Sequence, residues 1–221
     1  NVPFLGLVTT AVGPLLNSRQ DKRLIGDRQK LPGNIFDDRE VPSRHRFVCF
    51  SLVNGEGVRP RRKIHGRIGL PISHVKRHLG TEGIDFSYSQ DPAEALKPET
   101  LAHYDAVLMY GNWEQNGPMP ADQLKALTGY VENGGAFLPI HCASACFGGS
   151  DAFVKLVGGR FKSHGTGVFT TTITAPDHPV MRGFQGFETW DETYEHDRHG
   201  DDRTILQRRE QEPWTWVRKQ G

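Results

Sequence analysis

The sequence has little that would tie this protein to a membrane, a nucleic acid or a disulfide framework. No apolar run approaches the roughly 18 residues that a membrane-spanning helix needs, and 27 Lys and Arg residues nearly balance 26 Asp and Glu residues. This balance removes the electrostatic argument for nucleic acid as a partner. The three cysteines, Cys49, Cys142 and Cys146, cannot all pair, and nothing around them is typical of a zinc site. Their number indicates a reducing compartment or a protein with free thiols.

The first 45 residues are expected to form a poorly structured N-terminal extension. Residues 17–45 are polar and charged, so they bury too little apolar area to offset the backbone entropy of ordering, roughly 1–2 kcal/mol per residue. We therefore predict that residues 1–44 lie outside the sheet and that the fold begins near Arg46. Asn1–Leu16 is mildly apolar but lacks a basic leader and a convincing cleavage site, which leaves a cytoplasmic or a periplasmic location open.

The rest of the chain alternates between strand and helix patterns. This alternation is typical of an α/β fold with a parallel sheet and helices on both faces. Strands are predicted at 46–53, 84–88, 104–110, 136–140, 168–174, 204–207 and 214–218, with a charged loop at 208–213, and helices at 71–80, 120–132 and 151–156.

One apolar run, Ala136–Ile140, stops on a histidine, His141, and small residues follow it. Such a run is typical of a sharp strand-to-helix elbow, which displays one side chain at the carboxyl end of a sheet. The alternative is an ordinary connection whose histidine caps a helix. The next residue, Cys142, raises the hypothesis of a Cys-dependent hydrolase. However, the glycine spacing of such elbows is absent, and a small buried cysteine is common.

Two further polar segments are candidates for chemistry. His164 lies in a Gly-rich segment that we expect to be a loop. In the acidic segment that follows, strand alternation places Glu192, Tyr194 and His196 on one face. This group suits acid–base work, and with His141 and His164 it also suits a divalent metal. A solvated acidic turn is the alternative.

Asn112 and Trp113 follow the predicted strand at 104–110. At the end of a strand, an amide can form hydrogen bonds with a sugar and an indole can stack on it. Plain packing of Trp113 is the alternative.

Taken together, five segments in the same order resemble the ThuA-like (trehalose utilisation) family, a branch of the class I glutamine amidotransferase-like superfamily. The resemblance begins near Gly80 and covers about two-thirds of the chain. Each motif alone is weak, but their common order is specific. The segments are Tyr104–Asn112, Gly134–Ser144, Gly158–His164, Asp177–Val180 and Asp191–Tyr194.

The resemblance implies a flavodoxin-like, doubly wound, mainly parallel sheet in a bacterial-type domain that spans residues 46–221. His141 fills the elbow position that holds Cys in true amidotransferases, so the glutaminase reaction is not implied. Domains of this family often sit beside sugar oxidoreductases and haem-binding modules. The chain departs from the family in a basic insertion before His65, where His65 or His74 can stand in for a loop histidine. The family's closing strand is also missing, so we expect a C-terminal truncation and an unpaired last sheet edge.

The leading hypothesis is a role in carbohydrate utilisation, with a small-molecule sugar such as trehalose or a keto-sugar as partner. His141, His164 and Glu192 would be the catalytic or metal-binding groups, and Asn112, Trp113 and Tyr194 would bind the substrate. One alternative is a non-catalytic sugar-binding or interaction module of a larger oxidoreductase, and another is the Cys142 hydrolase. The sequence leaves enzymatic activity, the cofactor (a divalent metal is the open candidate) and the oligomeric state undecided.

Overall fold

The computed structural model describes residues 6–9, 45–50, 84–89, 91–113 and 115–220, and up to residue 86 it describes the backbone alone. The predicted helix at 71–80, the two alternative loop histidines, His65 and His74, and the polar segment at 17–44 lie outside these residues. None of the helices in the described ranges combines the length and the apolar character that crossing a membrane requires.

A four-stranded parallel sheet forms one part of the molecule, in the order β3-β2-β4-β5. Its strands are β2 (His45–Phe50), β3 (Ile84–Ser89), β4 (Ala106–Met109) and β5 (Ala136–Pro139). Every residue of β4 is buried, as expected for a parallel strand covered on both faces. Met109 of β4 lies opposite Pro139 of β5, so these two strands end side by side.

Helices cover this sheet: α1 (Pro92–Ala95), α2 (Pro98–Leu101), α3 (Ala121–Glu132) and α4 (Asp151–Val157). The apolar side chains of Leu101, Leu127 and Phe153 belong to one buried cluster. Helix α4 ends at Gly158, whose φ of +88° is in the left-handed region that favours glycine at a helix end. The predictions at 120–132 and 151–156 are thus confirmed to within a residue.

Three C-terminal strands and one strand from the start of the chain form an antiparallel sheet in the order β1-β10-β9-β7. Its strands are β1 (Gly6–Thr9), β7 (Thr172–Ile173), β9 (Thr204–Arg209) and β10 (Glu212–Arg218). The fold is therefore α/β, but its sheets are only partly parallel. β9 and β10 form a hairpin in which Arg209 pairs with Glu212, so the connection is shorter than the loop predicted at 208–213.

Two expectations about this sheet are wrong. Residues 1–44 do not all lie outside it, because Gly6–Thr9 pairs antiparallel with β10. The segment Gly6-Leu7-Val8-Thr9 contains residues that favour strands, but four residues are too few to predict a strand from their pattern alone. The edge of β10 is not unpaired either, since β9 and β1 flank it. The domain boundary near residue 45 stays a prediction.

Finally, a two-stranded antiparallel ribbon joins the two sheets in sequence: β6 (Arg160–Thr170) and β8 (Glu188–Asp197). β6 also contacts the 3₁₀ helix His141–Ala145. The ribbon corrects one prediction, because pairing with β8 places His164 within a strand and not in a loop. The segment around Glu192 is a strand, as its alternation predicts, and not the alternative of a solvated turn.

Candidate active site at the elbow

The turn after β5 places His141 at the carboxyl end of the parallel sheet. The Ile140 amide donates to the Met109 carbonyl at 2.9 Å, which keeps the chain in the sheet until the residue before the histidine. His141 then adopts a φ of +54°, in the left-handed region that few non-glycine residues enter. Such a conformation costs about 1–3 kcal/mol and is concentrated at functional sites. This segment, Pro139–Cys142, is called the elbow below.

The imidazole of His141 is held by three side chains. Its Nε2 lies 3.2 Å from Oε2 of Glu192. Its ring stacks on Tyr194, with centroids 4.7 Å apart, and on Tyr110, with centroids 6.1 Å apart. Only 14% of the His141 side chain is exposed, so the ring forms the floor of the site.

His164 approaches the same carboxylate from the ribbon. Its Nε2 lies 3.8 Å from Oε1 of Glu192, and its side chain is 39% exposed. Its Nδ1 lies 3.1 Å from the Gly165 carbonyl. A carbonyl only accepts hydrogen bonds, so this contact places a proton on Nδ1, and Nε2 donates to Glu192 only when the ring is doubly protonated. Glu192 therefore offers one oxygen to each of two imidazoles.

The two phenols beside His141 are kept protonated. Burial raises the pKa of Tyr110 to about 12, with smaller contributions from Cys142, Asp191 and Glu192. Burial also raises the pKa of Tyr194, and the charge of Glu192 and a hydrogen bond to it add to the effect. At neutral pH both hydroxyls are therefore hydrogen-bond donors and not bases.

The two cysteines near the elbow are weak candidates for a nucleophile. Burial raises the pKa of the Cys142 thiol to about 11, which keeps it in the unreactive protonated form at neutral pH. Burial likewise raises the pKa of Cys146 to about 12. The Cys146 sulfur accepts from the Trp113 amide at 3.2 Å and donates to the Gly111 carbonyl at 3.0 Å, so Cys146 ties the end of β4 to the turn.

The two residues predicted to bind a sugar have different surroundings. Asn112 is exposed, and its Oδ1 accepts a hydrogen bond from Gln115 at 3.1 Å. Trp113 is only 5% exposed, and its ring lies parallel to that of Phe147. A buried ring has no free face for a ligand, so the structure favours packing over sugar stacking for Trp113.

The third predicted substrate-binding residue, Tyr194, and all three predicted catalytic residues lie together. The described part of the chain contains no group of three or more His, Cys, Asp or Glu side chains arranged to hold a metal ion. The divalent-metal alternative for His141, His164 and Glu192 therefore has no preformed ligand set there.

Sequence reasoning missed three residues around the elbow. Tyr110 was treated only as the end of a strand, although the next parallel strand ends beside it. Ser144 lies three residues after His141, and its Oγ donates to the His141 carbonyl at 3.0 Å. Glu212 binds His196 at 2.9 Å, but 16 residues and a hairpin separate the two, so no local pattern could have indicated the pair.

Comparison with known proteins bears on the family and the fold. The profile of the ThuA family, described as trehalose utilisation, matches residues 60–221. A crystal structure of a ThuA-like protein from Bacteroides uniformis is similar to this chain, with a TM-score of 0.56 and 18% identity over 80% of this chain and 71% of the other. At that identity the likeness shows the fold alone. No curated protein matches the sequence.

Proposed function

This chain belongs to the ThuA family, and from that premise we propose that the elbow site binds a sugar or keto-sugar and performs acid–base chemistry on it. The observation that supports this best is Glu192, whose two carboxylate oxygens face the Nε2 atoms of His141 and His164. Histidine exchanges protons near neutral pH, and a neighbouring carboxylate stabilises its charged form.

In this proposal His141 is the acid–base group. It lies on the floor of the site at the sheet's carboxyl end, where α/β folds place reacting groups. Glu192 orients the ring and stabilises the imidazolium that forms when His141 takes a proton from a sugar hydroxyl or from the carbon beside a keto group. His164 lies nearer to solvent and exchanges a proton with the substrate or water. The hydroxyl of Tyr110 donates to a sugar oxygen.

We assign sugar stacking to Trp190 in place of Trp113. Trp190 is 63% exposed, and Val168, opposite it in the ribbon, is 64% exposed. Strand alternation places Trp190 on the same face of β8 as Glu192, two residues away. A flat indole beside hydrogen-bonding groups suits the apolar face of a sugar ring. Asn112, exposed at the end of β4, supplies an amide to the sugar hydroxyls.

We further propose that the parallel sheet is flavodoxin-like and that its ancestry is that of the glutamine amidotransferase-like proteins. Numbered from β2, the order β3-β2-β4-β5 is 2-1-3-4, which agrees with the first four strands of the flavodoxin order. The left-handed backbone at His141 is in keeping with an amidotransferase-like elbow whose cysteine is replaced.

A second candidate function is a sugar-binding module without catalysis that works beside a sugar oxidoreductase. The exposed Trp190 and Val168 favour it, since they suit binding whether or not a reaction follows. The Cys-dependent hydrolase has less support, because the raised pKa of Cys142 disfavours a thiolate at neutral pH.

Calorimetric titration with trehalose, glucose and fructose tests the proposal. We expect the wild type to bind at least one of them, and His141→Asn to bind it at least tenfold more weakly, since Asn tolerates the left-handed backbone but lacks the imidazole. His103→Asn is the matched control, because His103 is exposed on the chain after α2, and it should bind as the wild type does. Equal affinity of wild type and His141→Asn would overturn the proposal, as would no binding of any of the three. Measuring whether the bound sugar is converted to another compound in the same samples distinguishes an enzyme from a binding module.

A further inference from the structure

Behind the elbow lies a buried hydrogen-bonded chain of three side chains. Oε1 of Glu212 is 2.9 Å from Nδ1 of His196, and Nε2 of His196 is 3.3 Å from Oγ of Ser144. Oγ of Ser144 is in turn 3.0 Å from the carbonyl oxygen of His141. The His196 side chain is fully buried and Ser144 is 3% exposed, so a substrate in the site would not reach them.

The Ser144 hydroxyl has a single proton and two neighbours that can accept it. If His196 carries protons on both nitrogens, its Nε2–H donates to Oγ, and the hydroxyl donates to the His141 carbonyl. If His196 is neutral with its proton on Nδ1, facing the Glu212 carboxylate, then Nε2 becomes an acceptor. The hydroxyl then turns to Nε2, and the carbonyl of His141 loses this donor.

We propose that Ser144 is a proton-coupled positioning residue, whose hydroxyl turns onto the His141 carbonyl when His196 gains a proton and turns away when His196 loses it. The elbow is therefore held more firmly when His196 is doubly protonated and less firmly when it is neutral. The proposal rests on the same elbow as the proposed function, but it does not depend on the binding of a sugar.

The surroundings of His196 determine which nitrogen keeps the proton. Glu212 also accepts from the His196 backbone amide at 3.1 Å. Burial alone raises the pKa of Glu212, but the hydrogen bonds and charge of His196, together with His199, outweigh it and leave that pKa below its ordinary value. An ionised Glu212 keeps a proton on Nδ1 in both states. Two other titratable groups face His196, namely His199, in the turn after β8, and Tyr194. Burial and the charge of Arg203 lower the pKa of His199.

Strand β8 thus contacts the elbow in two places. Glu192 and Tyr194 contact the ring of His141, and His196 reaches its backbone through Ser144. Through Ser144, a change of charge on the buried histidine is transmitted to the histidine of the site. No direct contact between the two imidazoles is needed.

Nuclear magnetic resonance of the full chain, labelled with ¹⁵N and ¹³C at histidine, tests this without any sugar. As pH is raised, we expect the His196 ring nitrogens to change from the doubly protonated form to the form with the proton on Nδ1. The ring signals of His141 should show, besides their own titration, a second inflection at the midpoint of His196. In Ser144→Ala, His196 should still titrate while the second inflection of His141 is lost.

Two further variants keep the test decisive. Ser150→Ala removes another buried serine, whose Oγ accepts from the Met119 amide at 2.7 Å, and it should leave the second inflection unchanged. Glu212→Gln removes the carboxylate, so the His196 titration and the second inflection should move to lower pH together. The proposal fails if neutral His196 carries its proton on Nε2, if the inflection persists in Ser144→Ala, or if the two signals move independently in Glu212→Gln. None of these results depends on whether a sugar binds.

Discussion

The molecule has two histidine–carboxylate pairs at or next to the elbow, and the two pairs differ in burial. In the front pair, His141 and Glu192 are 3.2 Å apart, and 36% of the Glu192 side chain is exposed. In the back pair, His196 and Glu212 are 2.9 Å apart, and the His196 side chain is fully buried. We propose that the same chemistry has two roles. A pair open to solvent can exchange protons with a substrate, whereas a buried pair stabilises the fold and positions the elbow.

The largest expected effect comes from breaking the back pair. His196→Gln leaves the Glu212 carboxylate without its buried partner, and breaking such a pair is strongly destabilising. We expect a loss of about 3 kcal/mol in the free energy of unfolding, measured by urea denaturation. A loss below about 1 kcal/mol, the range of exposed pairs, would remove the distinction between front and back.

Breaking the front pair should impair binding and leave stability nearly unchanged. Glu192→Gln keeps the shape of the side chain but removes the charge that faces His141 and His164. We expect an unfolding free energy within about 1 kcal/mol of the wild type and an affinity for the bound sugar lower by roughly tenfold, about 1.4 kcal/mol. Glu195→Gln, an exposed change on the same strand, is the control. A Glu192→Gln protein that unfolds as readily as His196→Gln would contradict the comparison.

A smaller effect on sugar affinity is expected from a substitution in the ribbon, at Trp190. Trp190→Ala removes the exposed indole two residues from Glu192, and an aromatic stacking contact is worth about 1 kcal/mol. We expect sugar affinity to fall roughly fivefold with no change in thermal stability, while Val168→Ala changes affinity much less. Quenching of tryptophan fluorescence by sugar in the wild type and its absence in Trp190→Ala would support the assignment. Unchanged affinity would remove Trp190 from the site.

Acid pH should remove the contribution of Glu212 to the free energy of unfolding. Its pKa is lower in the folded protein than its ordinary value, so its contribution is complete above the unfolded pKa, about 4.3 for a glutamate, and is lost as pH falls through the folded pKa. The stability difference between wild type and Glu212→Gln should therefore be smaller at pH 3.5 than at pH 5. Urea denaturation at these two pH values measures it. A difference that is larger at pH 3.5 than at pH 5 would show the opposite sign of the pKa shift.

The smallest effect is expected at Cys142. With a pKa near 11, about one thiol in ten thousand is ionised at pH 7. Iodoacetamide should therefore modify Cys142 slowly at pH 7 and faster as pH rises toward 10, and Cys142→Ala should bind sugar within twofold of the wild type. Rapid modification at pH 7 with loss of activity would restore the hydrolase hypothesis.

The front of the site could be predicted from sequence better than the back, for a physical reason. The elbow at His141 follows from a local pattern, an apolar run that ends on one polar residue. The shared face of Glu192, Tyr194 and His196 follows from strand alternation. Glu212 and Ser144 are separated from His196 by 16 and 52 residues, so only the folded topology brings them together.

The errors have similar causes. Glycines suggested a loop at His164, but pairing with β8 places it in a strand. Trp113 follows a strand end as a ligand-stacking residue does, yet the core encloses it. Gly6–Thr9 is too short to predict as a strand alone, and its partner β10 lies about 200 residues later in the chain.

The most direct test of the sugar site is a titration of the histidine-labelled protein with the sugar that binds in calorimetry, followed by nuclear magnetic resonance at pH 7. The account predicts that the ring signals of His141 and His164 shift together along one saturation curve. It also predicts that the exposed His103 and the half-buried His178 do not shift. Saturable binding that leaves His141 and His164 unchanged, or that shifts His103 and His178 instead, would contradict the claim that the elbow is the sugar site.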